Sequence, residues 1–318
     1  MPNTAVDSAR QFKDALLKRD AAALGRVVAA YADMMKRLTA EIDAVNMAVE
    51  SGAAYKARLQ RLTVEAQNEL TKFQGYLENE IRVDARTSVN QGLIDSIKLL
   101  DATVGKVGAG FRGLHPDAVL ELLGFLDKNS PLMENMKTLS KWTPERVRDV
   151  VTEGVGMGQN PRKIASQIKE AFGGGLTQAL RLTRTTQLQS YRAATRANYI
   201  ANSDVVSGWQ WVAALNERTC PACLSLNGKE FPLDETMDEH WNGRCTQIPI
   251  IAGFPSGMNT GEEWFNAQPE SVQRSILGDA KYEAYSDGKF TFDKLVSGTV
   301  DKVWGNMNTV TPLKDLVK

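Results

Sequence analysis

Histidine and cysteine are almost missing from this chain, with two and three residues in 318. Three thiols cannot all pair within one chain, and no H-E-x-x-H pattern exists, so a zinc protease is excluded on ligand count. Proline is absent between Pro2 and Pro116, so nothing there breaks a helix. Acidic residues are absent from Ala171 to Ser203. A formal net charge of zero supplies no global field toward nucleic acid or an acidic partner, so any basic contact has to be local. No apolar run approaches the roughly 18 residues of a membrane span, and no membrane partner is expected. Aromatics make up only 7% of the chain, and Trp209, Trp211, Trp241, Trp264 and Trp304 all fall late. That skew predicts a lean helical front and a more compact back.

What is present begins with helical periodicity. Tyr31, Met34 or Met35, Leu38, Ile42, Val45 and Val49 recur at spacings of three and four. Leu62, Ala66, Leu70, Phe73, Leu77 and Ile81 repeat the pattern beyond a stop at Ser51-Gly52. Two such stripes predict a long antiparallel helical hairpin over residues 1–110, suited to docking or assembly. Lys36, Arg37, Arg58, Arg61 and Glu65 read as its solvated face. Gly105, Gly108, Gly110 and Gly113 before His115-Pro116 mark a linker. His115 has no sequence neighbour to share a metal with and reads as structural.

Residues 111–205 predict a helical middle unit. Short helices are expected from Asp117 to Lys128 and from Thr143-Pro144-Glu145 toward Glu153. Another is expected from Asn160-Pro161, stopping at Gly173-Gly174-Gly175, and then a longer one from Leu176 to Ala201. The glycines form no phosphate-binding loop, because no G-x-x-x-x-G-K-[ST] pattern and no preceding strand exist. On the last helix Arg181, Arg184, Arg192 and Arg196 fall within about 120° of one another at 100° per residue. Such a stripe either pairs with acidic groups elsewhere in the fold or contacts nucleic-acid phosphates or an acidic partner surface.

Residues 206–290 predict a small α+β module, followed by a weakly patterned tail at 291–318. Ser207 to Ala213 alternates as a strand, Asn227-Gly228 signals a hairpin, and Thr246 to Ile251 reads as an edge strand because of Pro249. Thr260-Gly261-Glu262-Glu263 has capping-box spacing, and two short helices flank Gly278. All three cysteines and one of the two histidines crowd into the 26 residues from Cys220 to Cys245. Cys220-Pro-Ala-Cys223 is half of a tetrahedral site, and His240 and Cys245 would close it as Cys3His, which suits a structural Zn2+. A disulfide or redox pair at Cys220 and Cys223, or unligated core cysteines, are the alternatives. An oxidising compartment is not expected, since Met1-Pro2-Asn3-Thr4 runs straight into a charged amphipathic pattern. The fold class is thus mainly α, with a zinc-stapled C-terminal module.

These residues also resemble a known family. Arg184-Thr185, Arg218-Thr219-Cys220-Pro221-Ala222-Cys223, Leu226-Asn227-Gly228-Lys229 and His240-Trp241-Asn242-Gly243-Arg244-Cys245 are similar, in order, to the motifs of the phage head morphogenesis family typified by the Mu F protein. The resemblance covers about residues 150 to 251. Two positions depart from it: Thr186 stands where glutamate is frequent, and Gly243 replaces the first cysteine of a C-R-C ending. The resemblance implies a minor head protein with a structural rather than enzymatic role. It implies association with the portal, with scaffolding or capsid proteins, and with packaged DNA, in the capsid interior after assembly in the host cytoplasm. Two other functions compete. A zinc-dependent His-Asn-His nuclease lacks a spare histidine base once His240 is a ligand. A zinc-ribbon nucleic-acid binder lacks basic residues packed around the cysteines.

Overall fold

The computed structural model describes residues 4–46, 52–106, 108–123, 149, 153, 161–301 and 305–317. Among the described residues, the front consists mostly of α1 Thr4–Asn46, α2 Gly52–Val104, α3 Pro116–Leu123 and α4 Pro161–Ala201. The back holds β1 Val206–Val212, α5 Pro221–Leu226, β2 Glu230–Pro232 and β3 Thr246–Ile251. Then come α6 Gly261–Asn266, α7 Glu270–Leu277, α8 Asp279–Ser286, a 3-10 turn at Phe292–Leu295, β4 Val296–Asp301, β5 Gly305–Val310 and α9 Leu313–Leu316. The protein is therefore mostly helical with some antiparallel sheet. Among the described residues, no helix is long and apolar enough to cross a membrane.

The chain divides into two compact units, each assembled from separate pieces: residues 1–18, 85–123 and 188–318 in one, 19–84 and 124–187 in the other.

In the second unit α1 and α2 run antiparallel. Arg26 meets Glu80 and Asp84, Tyr31 packs on Phe73, and Arg37 meets Glu69, so numbers fall along one helix as they climb along the other. Tyr31, Met34 and Leu38 on one helix, and Leu62, Ala66, Leu77 and Ile81 on the other, are buried as the periodicity predicts. Each large side chain so buried contributes about 1.5–3 kcal/mol. Val49 and Ser51 lie outside the described residues, as does most of the helix expected from Thr143.

The helix stop expected at Gly173-Gly174-Gly175 does not occur: α4 passes through it without a break. Each glycine costs a helix only about 1 kcal/mol against alanine, and no proline follows to remove a hydrogen bond. The linker glycines do behave as turn formers. Gly105, Gly108 and Gly110 have φ of 69°, 68° and 84°, and the Asp101 carboxylate accepts from the backbone N–H groups of Gly108 and Ala109. His115 is exposed, and its Nδ1 accepts from the Asp117 backbone at the start of α3.

In the first unit the sheet runs β2-β1-β3, all antiparallel, with β1 central. Pro249 sits on edge strand β3, where its missing N–H is tolerated. Trp209 and Trp211 share one buried face, and Phe231 of β2 stacks on Trp209 at 4.4 Å. Their cluster takes in Leu100 of α2, Tyr199 of α4, and Cys223 and Cys245. Gly208 is required on β1, because a Cβ there would strike the Phe231 carbonyl.

Asn227-Gly228 does not form the expected hairpin. Asn227 caps the C-terminus of α5, and β2 follows only after this helical detour. The local Asn-Gly preference for φ > 0 is used, with Gly228 at 84°, but to stop a helix. The tail is ordered too: β4 and β5 pair from Val296↔Val310 to Asp301↔Gly305.

Candidate metal centre

The site is built on a helix start. Asn216 and Thr219 close a turn, with Asn216 N–H donating to Thr219 Oγ1 and Thr219 N–H to the Asn216 carbonyl. Cys220 is then the N-cap of α5: its backbone is extended, its Sγ accepts from Cys223 N–H at 3.3 Å, and Pro221 takes the first helical position. The C-P-A-C spacing thus places both sulfurs at the same helix end, 3.1 Å apart. His240 arrives on the loop between β2 and β3, with Nε2 3.2 Å from Cys220 Sγ and 3.2 Å from Cys223 Sγ. Its Nδ1 lies 2.8 Å from the Trp241 carbonyl. With Nδ1–H donating there, the Nε2 lone pair faces the sulfurs, the orientation a metal ligand needs.

Cys245 enters from the other side. The donors fall into two overlapping triads, Cys220/Cys223/His240 and Cys223/Glu239/Cys245, each within 4.8 Å and sharing Cys223. Glu239 is the member that sequence reasoning missed. It is 2% exposed, ion-paired with buried Arg192, and its carboxylate accepts from Cys245 N–H at 3.1 and 3.2 Å. An acid directly before a candidate histidine ligand, four residues from a glycine, was the available signal. A pocket of about 60 Å³ opens between these donors.

Charge inside the cluster is sharply divided. The Cys223 thiol, then the His240 ring, stabilise the Cys220 thiolate, drawing its pKa down to about 5. The same Cys220 sulfur lifts His240 to about 9. Cys223 is pushed up, chiefly by its bond to Cys220, and burial pushes up Cys245. These opposed shifts favour negative charge on the Cys220 sulfur and positive charge on the His240 ring. Soft sulfurs and an oriented imidazole in a small buried cluster fit a closed site for Zn2+ or a similar soft ion. The free thiols form no disulfide.

Arginines of the predicted stripe make bonds within the fold. Arg184 donates to buried Asp20 at 2.7 Å. Arg192 donates to the carbonyls of Cys245 at 3.0 Å and Gly243 at 2.8 Å. Arg196 donates to those of Leu233 and Asp234 at 2.8 and 2.9 Å. Arg181 is exposed. Arg192 and Arg196 of α4 therefore grip the loop that delivers His240 and Cys245. Trp241, half-buried on this loop, donates its indole N–H to Asp301 of β4, while Asn308 of β5 donates its backbone N–H to the Asp238 carbonyl.

Residues 145–248 match the family described as phage Mu protein F like protein. Over that segment the chain is similar to the phage Mu F-like proteins, the family that the ordered motifs resemble. Its span includes α4, the whole sheet except the last residues of β3, and every candidate metal donor. No curated protein and no solved structure gives a significant match to the chain.

Proposed function

We propose that this Mu F-like chain is a phage minor head protein with a structural role in head assembly, resident in the capsid interior and associated with the portal. The observation that carries this is that the matched segment, 145–248, is also the segment that gathers all three cysteines and His240 into one cluster. A structural Zn2+ held by Cys220, Cys223, His240 and Cys245 would supply a cross-link between α5 and the β2–β3 loop. Such an ion contributes on the order of 10 kcal/mol in small zinc-finger peptides. The long helices α1 and α2 suit docking to the portal or to scaffolding and capsid proteins, with assembly in the host cytoplasm. Direct contact with packaged DNA has weaker support, because Arg184, Arg192 and Arg196 are bonded within the chain. A nuclease is disfavoured for a related reason: His240 points at sulfurs, and His115 serves as a helix-start acceptor.

Metal analysis of purified protein, paired with pull-down by the portal of the same phage, tests this. One zinc per chain and capture through α1 and α2 are expected. Metal-dependent DNA cleavage lost in Cys220→Ser without unfolding would replace the assembly role with an enzymatic one.

A further inference from the structure

Cys245 is held from both sides by one buried ion pair. Arg192 of α4 donates to its carbonyl, and Glu239 accepts from its N–H. The same guanidinium reaches the Gly243 carbonyl, and the two side chains pair with each other. Glu239 also lies 3.5 Å from the Cys223 thiol, which can donate to it. Gly243 completes the arrangement. A Cβ there would collide with the Glu239 side chain, so the carboxylate occupies the space a side chain at 243 would need. Asn242, at φ 61°, turns the backbone so that this approach is possible.

The geometry points to Arg192 and Glu239 as a positioning clamp that fixes Cys245 as the third sulfur of the metal site, with Gly243 bare because the clamp fills its place. This rests on the metal reading above. Neither clamp residue needs to touch the ion. Arg192 neutralises the buried carboxylate, so the carboxylate can hold a backbone N–H instead of competing as a ligand. The clamp also explains why an arginine lies on the inward side of α4: it ties a helix of the scaffold to the last ligand.

Co2+ titration of the metal-stripped full-length protein, followed by thiolate-to-cobalt absorbance, tests the clamp. Arg192→Met with Glu239→Leu replaces the pair by apolar side chains of similar size, an exchange that folded proteins commonly tolerate. Gly243→Ala displaces Glu239 without touching a cysteine or His240. Both should keep the helical circular dichroism of the wild type and bind Co2+ about 10–100-fold more weakly. Glu239→Gln, which keeps an oxygen for Cys245 N–H, should lose less. Wild-type affinity in folded double variant and in Gly243→Ala would overturn the clamp. If the wild type itself takes up no Co2+, the metal reading fails separately. Maleimide labelling mapped by mass spectrometry then decides: Cys245 should label several-fold faster in the double variant, and equal rates would sink the positioning role.

Discussion

His240 Nε2 lies 3.2 Å from Cys220 Sγ, at the N-terminus of the helix that Cys220 itself caps. The two groups share one proton's worth of charge. In the metal-free protein this sets a pH profile. A thiol lowered to about 5 stabilises the fold above its ordinary value of 9.0 and loses that contribution as pH falls through about 5. An imidazole raised to about 9 contributes fully below its ordinary 6.5 and loses it as pH rises through about 9. Between 6.5 and 9 the proton that Cys220 gives up is the one His240 holds, so stability should be nearly flat there and should rise with pH between 5 and 6.5. Urea unfolding at stepped pH checks this. Iodoacetamide alkylation of Cys220 should have its midpoint near pH 5, moving upward in His240→Gln.

Glu239→Ala should be far more damaging than a surface change. It strands the buried Arg192 guanidinium and the Cys245 N–H together. Breaking one side of a buried pair costs about 3–5 kcal/mol. A fall of that size in the unfolding free energy, measured in the metal-stripped protein, is expected. A loss under about 1 kcal/mol would mean that water replaces the carboxylate without penalty.

Asn227→Ala tests the helix detour between β1 and β2. The Asn227 amide is buried, accepts from Ala213 N–H at 2.8 Å and donates to the Asn259 carbonyl at 2.9 Å. Removing it leaves two backbone groups unpaired, at about 1–3 kcal/mol for each group that water cannot reach. The melting temperature should drop. Asn227→Asp should recover only the bond from Ala213, since a carboxylate cannot donate to Asn259.

Thr260→Ala removes one half of a reciprocal cap. Thr260 Oγ1 accepts from Glu263 N–H at 3.1 Å, and Glu263 returns the bond to Thr260 N–H at 2.7 Å. The expected cost is about 1 kcal/mol, with Thr260→Ser near wild type. Gly261, directly after the cap, should tolerate no substitution, because a Cβ there would run into the Leu224 backbone of α5. Thermal melts of both variants distinguish the mild loss from the severe one.

Local signals carried much of the architecture. The buried stripes through Tyr31, Leu38, Leu77 and Ile81 follow directly from periodicity, and the Thr260 cap from its spacing. The two tryptophans on one face of β1 follow from alternation. Signals that name a conformation without a partner did worse. Asn227-Gly228 specified a positive φ but not which elements it would join. Three glycines specified a weaker helix, and neighbouring turns were enough to carry α4 through. The tail read as unpatterned because β4 and β5 form a two-stranded pair in which most residues are exposed or only half-buried, so the strands need few apolar side chains.

By itself the sequence determined which residue types could hold a soft metal, and that they sit close together in the chain, because rare ligands confined to 26 residues leave few other partners. Only the tertiary structure decided what surrounds them. Glu239 is an ordinary acid until Arg192, 47 positions earlier in the chain, is brought against it. The arginine stripe was legible as a line of positive charge. Its destination was not, since a guanidinium binds a carboxylate, a carbonyl or a phosphate by the same donor geometry, and only folding fixes which of them lies within reach.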